Sequence, residues 1–135
     1  MARWIPLSAS AAAVLLGVAA QAQELEGELR DLTALGFQQF KEASRVLVRT
    51  NEPVRYRVDR RDGVVVLTLE NTRVPLRNNR RFLDTRYFDS PVTFIQPRVI
   101  EGPSPSVQIE IRLRHPASFK ETQSDTLLAL DFQRQ

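Results

Sequence analysis

The stretch from Val54 to Leu69 decides the fold; it reads Val-Arg-Tyr-Arg-Val-Asp-Arg-Arg-Asp-Gly-Val-Val-Val-Leu-Thr-Leu. Apolar and charged residues alternate over Val54–Asp59, which is typical of a half-buried strand. The Asp62-Gly63 dipeptide favours a tight turn, and the apolar run after it has the length of a second strand. The sequence therefore predicts a β-hairpin here.

The same alternation continues on both sides of this hairpin. Before it, Arg45–Arg49 places two valines between arginines, and after it Val107–Leu113 alternates apolar and polar residues along its whole length. Leu32–Phe37 and Val92–Ile95 are predicted to open the two halves of the chain, which residues 71–91 connect. Since no later segment carries the stripe of an amphipathic helix, the sequence predicts an all-β fold.

The two halves resemble each other. When Val46 is placed on Ile109, the stretch Val46–Leu69 aligns with the second half without a gap. The identical pairs in this alignment are Arg49/Arg112, Pro53/Pro116, Asp62/Asp125 and Leu67/Leu130. Two such units, each a small sheet with one apolar face, bury those faces against each other. The predicted fold is a compact β-sandwich of two small sheets with an internal pseudo-twofold repeat, although any two strand–turn–strand units align to some extent.

The N-terminal residues have the pattern of a cleaved signal peptide. Arg3 precedes an apolar run over Ala11–Ala20, and Ala20-Gln21-Ala22 is a small-x-small cleavage pattern. A membrane anchor is the weaker alternative, because an anchor needs about 20 mostly apolar residues and this stretch contains Pro6 and Ser8. The expected organisation is a signal peptide at 1–22, a lead-in segment at 23–31 and a folded domain at 32–135.

The amino-acid composition excludes several classes of function. The chain has one histidine and no cysteine, which excludes disulfide frameworks, thiol nucleophiles and cysteine-rich zinc sites. Its 19 basic and 16 acidic residues give a net charge of +3, too small a surplus for a nucleic-acid-binding surface. Export without disulfides suits the bacterial periplasm. We therefore expect a periplasmic protein with no cofactor, no metal, no nucleic-acid partner and no membrane span in the mature chain.

The order of these features resembles the AMIN domain of bacterial envelope proteins. The stretches that carry the resemblance are Ser44–Val48, Val54–Val58, Asp62–Leu69, Ser90–Val92, Val107–Ile111 and Leu127–Asp131. Together they extend over about residues 32–133. The segment from Leu83 to Phe132 is particularly similar to the AMIN segments of type IV pilus secretins. Because the motif is diffuse and mostly hydrophobic, the resemblance also relies on the signal peptide and the cysteine-free composition.

The resemblance implies a β-sandwich module that binds peptidoglycan. Such modules localise N-acetylmuramoyl-L-alanine amidases to the division site or anchor pilus secretins in the envelope. These residues leave no room for an amidase or secretin domain beside the module, so we expect a non-catalytic protein that localises or anchors an envelope machine. The alternative is a protein–protein accessory subunit of a type IV pilus or secretin complex, in which exposed strand edges receive or donate a strand.

Arginines are the polar residues most informative about a ligand. Guanidinium groups form bidentate hydrogen bonds with carboxylates, which peptidoglycan stem peptides carry. The six candidate ligand-binding residues on predicted polar strand faces are Arg45, Arg49, Arg55, Arg57, Arg112 and Arg114. Arg49 and Arg112 are the strongest candidates, because the repeat places them at equivalent positions. For each arginine the alternative is a solvated side chain that keeps edge strands from pairing with neighbours.

No catalytic residue is predicted. His115 precedes a proline in a predicted turn, where a lone histidine is usually solvated. Asp84 and Asp89 are close enough in sequence to be weighed as an acid–base pair for glycans. However, Asp89 belongs to a turn-forming Asp-Ser-Pro sequence, and Asp84 has arginine neighbours. The connector that holds these carboxylates also carries Arg73, Arg77, Arg80, Arg81 and Arg86.

Overall fold

A computed structural model of the chain describes residues 28–134. The predicted signal peptide and residues 23–27 of the predicted lead-in lie outside the described residues. Within them the chain is all-β, which confirms the predicted fold class. The strands are β1 (Arg30–Gln39), β2 (Ala43–Thr50), β3 (Tyr56–Arg61), β4 (Val64–Leu69), β5 (Thr72–Arg73), β6 (Leu83–Asp84), β7 (Val92–Ile100), β8 (Ser106–Leu113), β9 (Phe119–Ser124) and β10 (Leu127–Gln133). One 3₁₀ turn, Arg77–Arg80, lies between β5 and β6.

The strands form two five-stranded sheets. Sheet I has the order β5-β1-β2-β10-β9, and sheet II has the order β3-β4-β8-β7-β6. The expectation that each half of the chain forms its own sheet is wrong, because β2 pairs with β10 and β4 pairs with β8. Each half therefore contributes strands to both sheets. This arrangement gives β2, β10, β4 and β8 hydrogen-bonding neighbours on both sides, whereas β3 and β9 are edge strands.

The hairpin predicted from Val54–Leu69 is present as β3 and β4. The strands pair antiparallel from Tyr56/Leu69 to Arg61/Val64. Gly63 in the connecting turn has φ 70°, a left-handed conformation that glycine adopts without the steric cost of a Cβ. The strands predicted to open the two halves are β1 and β7. β1 begins earlier than the predicted Leu32, because Arg30 pairs in parallel with β5, a contact that alternation along one strand does not reveal.

The pairing registers of the two halves recur. The strands β2, β3 and β4 begin at positions that the alignment of the two halves places on the first residues of β8, β9 and β10. The same alignment relates the Val46/Leu130 pair of sheet I to the Ile109/Leu67 pair of sheet II. The central hydrogen-bonded pairs of the two sheets therefore have one common register.

Matching irregularities interrupt the first strand of each half. The register of β1 against β2 shifts between Leu32 and Ala34, and that of β7 against β8 shifts between Val92 and Phe94. The residues inside the two bulges are both threonines. The Thr33 hydroxyl donates to the Arg49 carbonyl oxygen at 3.2 Å, and the Thr93 hydroxyl donates to that of Arg112 at 3.2 Å. Each bulge is thus stabilised by a hydrogen bond of the same kind, from a threonine hydroxyl to an arginine carbonyl oxygen.

The inner faces of the two sheets enclose one hydrophobic core. Burial alternates along β2 and β8, so that one side of each strand points into the core and the other points outward. Two ring pairs continue the core toward its margins, with centroid distances of 5.2 Å for both Phe119–Phe132 and Phe37–Phe88. The largest fully buried side chains include Leu32, Leu67, Leu69, Ile95, Ile109, Ile111, Leu128, Leu130 and Phe132. Between residues 28 and 134 no helix is long and apolar enough to cross a membrane.

Candidate functional site

The six predicted ligand-binding arginines do not converge on one surface. Val48 and Ile111 are fully buried in the core, so their strand neighbours Arg49 and Arg112 project from the outer faces of sheet I and sheet II respectively. The two arginines that the sequence alignment of the halves places on each other therefore point in opposite directions. A single binding face can include one of them, but not both.

Arg45 on the outer face of sheet I is engaged within the protein. Its Nε and Nη2 donate to the two carboxylate oxygens of Asp131 at 2.7 and 3.0 Å. The guanidinium carbon also lies 4.9 Å from the centroid of the Phe40 ring. The hydrogen bonds that Arg45 donates to Asp131 raise the pKa of Arg45 further above its usual range, with the negative charge of Asp131 adding to the effect. Arg45 thus links the central strands β2 and β10.

Arg114 follows the last residue of β8 instead of lying within a strand. Its Nε donates to the Ser90 carbonyl oxygen at 3.0 Å, and its Nη2 donates to those of Arg86 and Phe88 at 2.8 and 3.4 Å. Its donors are therefore aimed at the backbone of the segment between β6 and β7. Arg114 therefore holds that segment close to the end of β8.

Arg55 and Arg57 line a groove of about 650 Å³ at one end of sheet II. Arg55 immediately precedes β3, and Arg57 lies on β3 opposite Thr68 of β4. The walls come from the start of β1, the segment before β3, the end of β4 and the loop before β8. Its chief lining residues are Arg30, Arg55, Arg57, Thr68, Glu70 and Asn71.

Charges of both signs surround the groove. The ion pairs that Arg57 makes within residues 28–134 are long, with 3.8 Å between its Nε and Asp59 and 3.7 Å between its Nη1 and Glu70. These distances exceed hydrogen-bonding range. Arg30 is held more firmly, since its Nε donates to the Pro53 carbonyl oxygen at 2.9 Å and its Nη1 to that of Glu28 at 2.6 Å. The groove thus combines a fixed arginine with a loosely held one.

Thr68 lines the same groove and has an unusual hydroxyl group. Its side chain is 2% exposed, and its Oγ1 has no hydrogen-bond partner among the described residues. Other buried hydroxyls are satisfied: Thr50 and Thr72 donate to carbonyl oxygens at 2.7 Å, and Thr85 donates to that of Val92 at 2.7 Å. Burying an unpaired hydroxyl costs about 1–3 kcal/mol in mutational data.

An aromatic pair and an arginine–carboxylate pair lie farther along the outer face of sheet II. The Phe82 and Phe94 rings stack with centroids 4.9 Å apart and planes inclined by 21°. Arg112 lies over the Phe94 ring at 5.0 Å, and its Nε is 3.3 Å from a Glu110 carboxylate oxygen. Phe82 is 54% exposed. Sequence reasoning missed this platform, because alternation along β7 does not show that Phe94 lies opposite Arg112.

Within the connector, one arginine and one carboxylate bind each other, whereas Arg73 binds Asp31 of β1. Arg86 binds both oxygens of Asp84, at 2.9 and 2.8 Å, and these hydrogen bonds lower the pKa of that carboxyl below its usual range. Asp89 instead accepts from Arg134 at 3.1 Å. His115 lies with Nδ1 3.1 Å from the Pro116 carbonyl oxygen. Residues 28–134 contain no group of histidines and carboxylates arranged to hold a metal ion.

Tyr56 joins the two sheets beside the groove. Its hydroxyl donates to a Glu121 carboxylate oxygen at 3.2 Å, which links edge strand β3 to edge strand β9. Burial and the negative charge of Glu121 together raise the pKa of the Tyr56 phenol above its usual value. The neutral, donating form of the phenol is therefore favoured at this contact between β3 and β9.

Comparison with known proteins identifies the family. A model of the AMIN domain matches residues 35–133, which is nearly the whole chain and extends from β1 to the end of β10. Neither the curated proteins nor the solved structures that were compared with the chain include a significant match. The resemblance first seen in the hairpin and the alternating strands is thereby confirmed, and the chain belongs to the AMIN domain family.

Proposed function

We propose that this protein is a non-catalytic periplasmic module that binds peptidoglycan through the outer face of sheet II and so localises or anchors an envelope machine. AMIN domains are peptidoglycan-binding modules and are typically periplasmic. The observation that carries the choice of face is the combination of the Phe82–Phe94 stack, Arg112 and the neighbouring groove on one side of the sandwich.

This face matches the chemistry of the polymer. Glycan strands present the flat apolar sides of sugar rings, which pack on exposed aromatic rings such as Phe82. Stem peptides present carboxylates, for which guanidinium groups are suited. Repetition of both features along the polymer adds avidity to individually weak contacts. On the outer face of sheet I, Arg45 lies over the single ring of Phe40 and is already bound to Asp131, and no stacked aromatic pair occurs there among the described residues. The centre of that face consists of small or apolar residues, namely Ala34, Gly36, Leu47 and Ala129.

Arg112→Gln is expected to weaken binding to protein-free sacculi about tenfold or more, because a charge-assisted hydrogen bond to a ligand carboxylate is lost. The measurement is sedimentation of the purified protein with sacculi over a salt series, in which binding should weaken as salt screens the contact. Arg49→Gln is the matched control, since it makes the same charge change at the equivalent position of sheet I. Its affinity should stay within about twofold of the original.

Each outcome of this comparison has a definite meaning. Equal losses in the two variants would show that both faces bind the wall. Unchanged binding by folded Arg112→Gln would contradict the assignment of the sheet II face. A folded protein that stays in the supernatant at every salt concentration would contradict wall binding itself.

The accessory-subunit alternative has its own support. The edge strands β3 and β9 are six residues long and have a free hydrogen-bonding side among the described residues. The small apolar centre of the sheet I outer face also suits contact with another protein. Under this alternative, the protein would remain in an envelope complex after lysozyme has digested the wall.

We also propose that residues 1–22 are a cleaved signal peptide. The basic start, the apolar run and the small-x-small pattern support this, as does the periplasmic location typical of the family. N-terminal sequencing of the exported protein checks the proposal. The expected first residue is Gln23, and a retained Met1 would contradict it.

The common register of the two halves supports an internal pseudo-twofold repeat, which we propose as the organisation of residues 32–135. The matching threonine bulges are the strongest support, because bulge position and its hydrogen bond coincide at Thr33 and Thr93. Under this proposal, Arg49 and Arg112 are equivalent residues on two separate outer faces.

A further inference from the structure

The groove beside Thr68 has the dimensions of a ligand site. Its volume of about 650 Å³ falls in the range typical of small-molecule sites, about 300–1,000 Å³. It opens on the outer side of sheet II, where β3 begins and β4 ends. Four separate segments of the chain form its walls: the start of β1, residues 53–57, the end of β4 and the loop before β8.

The Thr68 hydroxyl indicates which chemistry the groove recognises. A buried hydroxyl in a folded protein normally has a partner, and this one has none within residues 28–134. A hydroxyl both donates and accepts, so a ligand oxygen or ammonium group would satisfy it. The cross-strand neighbours of Thr68 are Arg57 and Gln108. Arg57 is therefore the side chain best placed to bind a ligand together with Thr68.

Arg57 is able to turn toward a ligand. Its contacts with Asp59 and Glu70 are 3.8 and 3.7 Å long, so moving the guanidinium breaks no close hydrogen bond. The side chains of Arg57 and Glu70 are about half exposed, at 58% and 48%. A carboxylate that binds Arg57 would leave the Glu70 carboxylate free to accept from a ligand ammonium group. Glu28, which also lines the groove, adds a second negative charge.

On sheet I, the residue aligned with Thr68 already has hydrogen-bond partners within the protein. The alignment of the two halves places Asp131 at the position of Thr68 and Lys120 at that of Arg57. There the Asp131 carboxylate is already bound by both Arg45 nitrogens, at 2.7 and 3.0 Å. The polar group is thus satisfied internally on sheet I and left unsatisfied on sheet II. This difference points to a ligand on sheet II.

We propose that the groove binds the zwitterionic side-chain end of a diamino acid residue in a wall stem peptide, an inference that rests on the proposed function. Arg57 binds the carboxylate in a bidentate manner, Glu70 accepts hydrogen bonds from the ammonium group, and the Thr68 hydroxyl contacts the ligand at the base of the groove. Arg30 stabilises the adjacent side of the groove by donating hydrogen bonds to the carbonyl oxygens of Pro53 and Glu28.

The test is a calorimetric titration of the protein with the tripeptide L-alanyl-γ-D-glutamyl-meso-diaminopimelate. The comparison ligand is the same tripeptide with lysine as the third residue, which keeps the ammonium group but lacks the side-chain carboxylate. The lysine tripeptide should bind about tenfold more weakly or worse, and Arg57→Gln should weaken binding of the diaminopimelate tripeptide to the same extent. Equal affinity for the two tripeptides, or no binding of either, overturns the inference.

Thr68→Val tests the orphan hydroxyl with almost unchanged side-chain shape. It should weaken binding of the diaminopimelate tripeptide about three- to tenfold. It should also raise the melting temperature of the free protein by about 4 °C, because an unsatisfied buried hydroxyl is removed. Lower stability with unchanged binding would contradict a ligand role for Thr68.

Matched controls come from exposed positions outside the groove. Arg61→Gln makes the same charge change on the same face of β3, and Thr122→Val makes the same substitution on edge strand β9. Both should bind the tripeptide within about twofold of the original protein. If Arg61→Gln loses as much affinity as Arg57→Gln, tripeptide binding depends only on the net charge of the protein. That result would contradict a binding site at Arg57.

Sacculus sedimentation measured in parallel separates this inference from the proposed function. Sedimentation without tripeptide binding contradicts the groove and leaves wall binding standing. Tripeptide binding without sedimentation supports the groove and contradicts wall binding by the whole protein. Loss of both contradicts both.

Discussion

Phe132→Ala is expected to lower the free energy of unfolding by about 3–5 kcal/mol. The Phe132 side chain is fully buried, and its ring lies 5.2 Å from that of Phe119 on the neighbouring edge strand β9. Arg60 of edge strand β3 in turn lies over the Phe119 ring at 4.4 Å. The ring of Phe132 therefore fills the core and also supports a contact between the two sheets. Urea denaturation followed by circular dichroism measures the loss.

Phe132→Leu is the informative control for this substitution. In the alignment of the two halves, Phe132 corresponds to Leu69, so leucine is the residue that the other half carries at this place. The leucine variant should lose only about 1–2 kcal/mol, since most of the apolar volume is retained. An alanine variant as stable as the original protein would contradict the position of Phe132 in the core.

Leu67→Ala and Leu130→Ala are each expected to cost about 2–5 kcal/mol of unfolding free energy. The two side chains are 1% and 0% exposed. Leu67 pairs with Ile109 in sheet II, and Leu130 pairs with Val46 in sheet I, so the two leucines have matching cross-strand neighbours. The two losses should therefore be similar. Equilibrium denaturation of both variants, with unchanged denaturant slopes, makes the comparison.

The control for the leucine pair is Leu76→Ala, because Leu76 is 60% exposed. Its cost should stay within about 0.5 kcal/mol. A small loss at either buried leucine would contradict the common core. Two large but very unequal losses would count against the pseudo-twofold repeat while leaving the two-sheet core intact.

The strands themselves were predictable from the sequence, because alternation is a local signal. Val54–Leu69 folds as the predicted hairpin, and the strands expected to open each half are β1 and β7. The partners of these strands were not predictable in the same way. Any strand with one apolar side is compatible with several neighbours, so alternation did not reveal that β2 pairs with β10.

The candidate site was less predictable, because its parts are distant in sequence. Arg45 meets a carboxylate 86 residues away, so no local pattern indicates that this guanidinium is already engaged. Thr68 lies within an apolar run and reads as one more strand residue; only its surroundings reveal that its hydroxyl has no partner among the described residues. Arg55 and Arg57 lie close together in sequence, but the groove that they line needs four separate segments to form, which no local pattern reveals.

The exchange of strands between the two halves has a consequence for how this protein acquires its structure. β10 lies in the interior of sheet I, between β2 and β9, and β8 lies in the interior of sheet II, between β4 and β7. Neither sheet is complete until residues from both halves have come together. Folding dominated by such non-local pairing is slow, because loop-closure entropy is lost before the contacts form. Under the proposed export, we expect the chain to cross the membrane unfolded and to complete sheet I only after β10 has emerged on the far side.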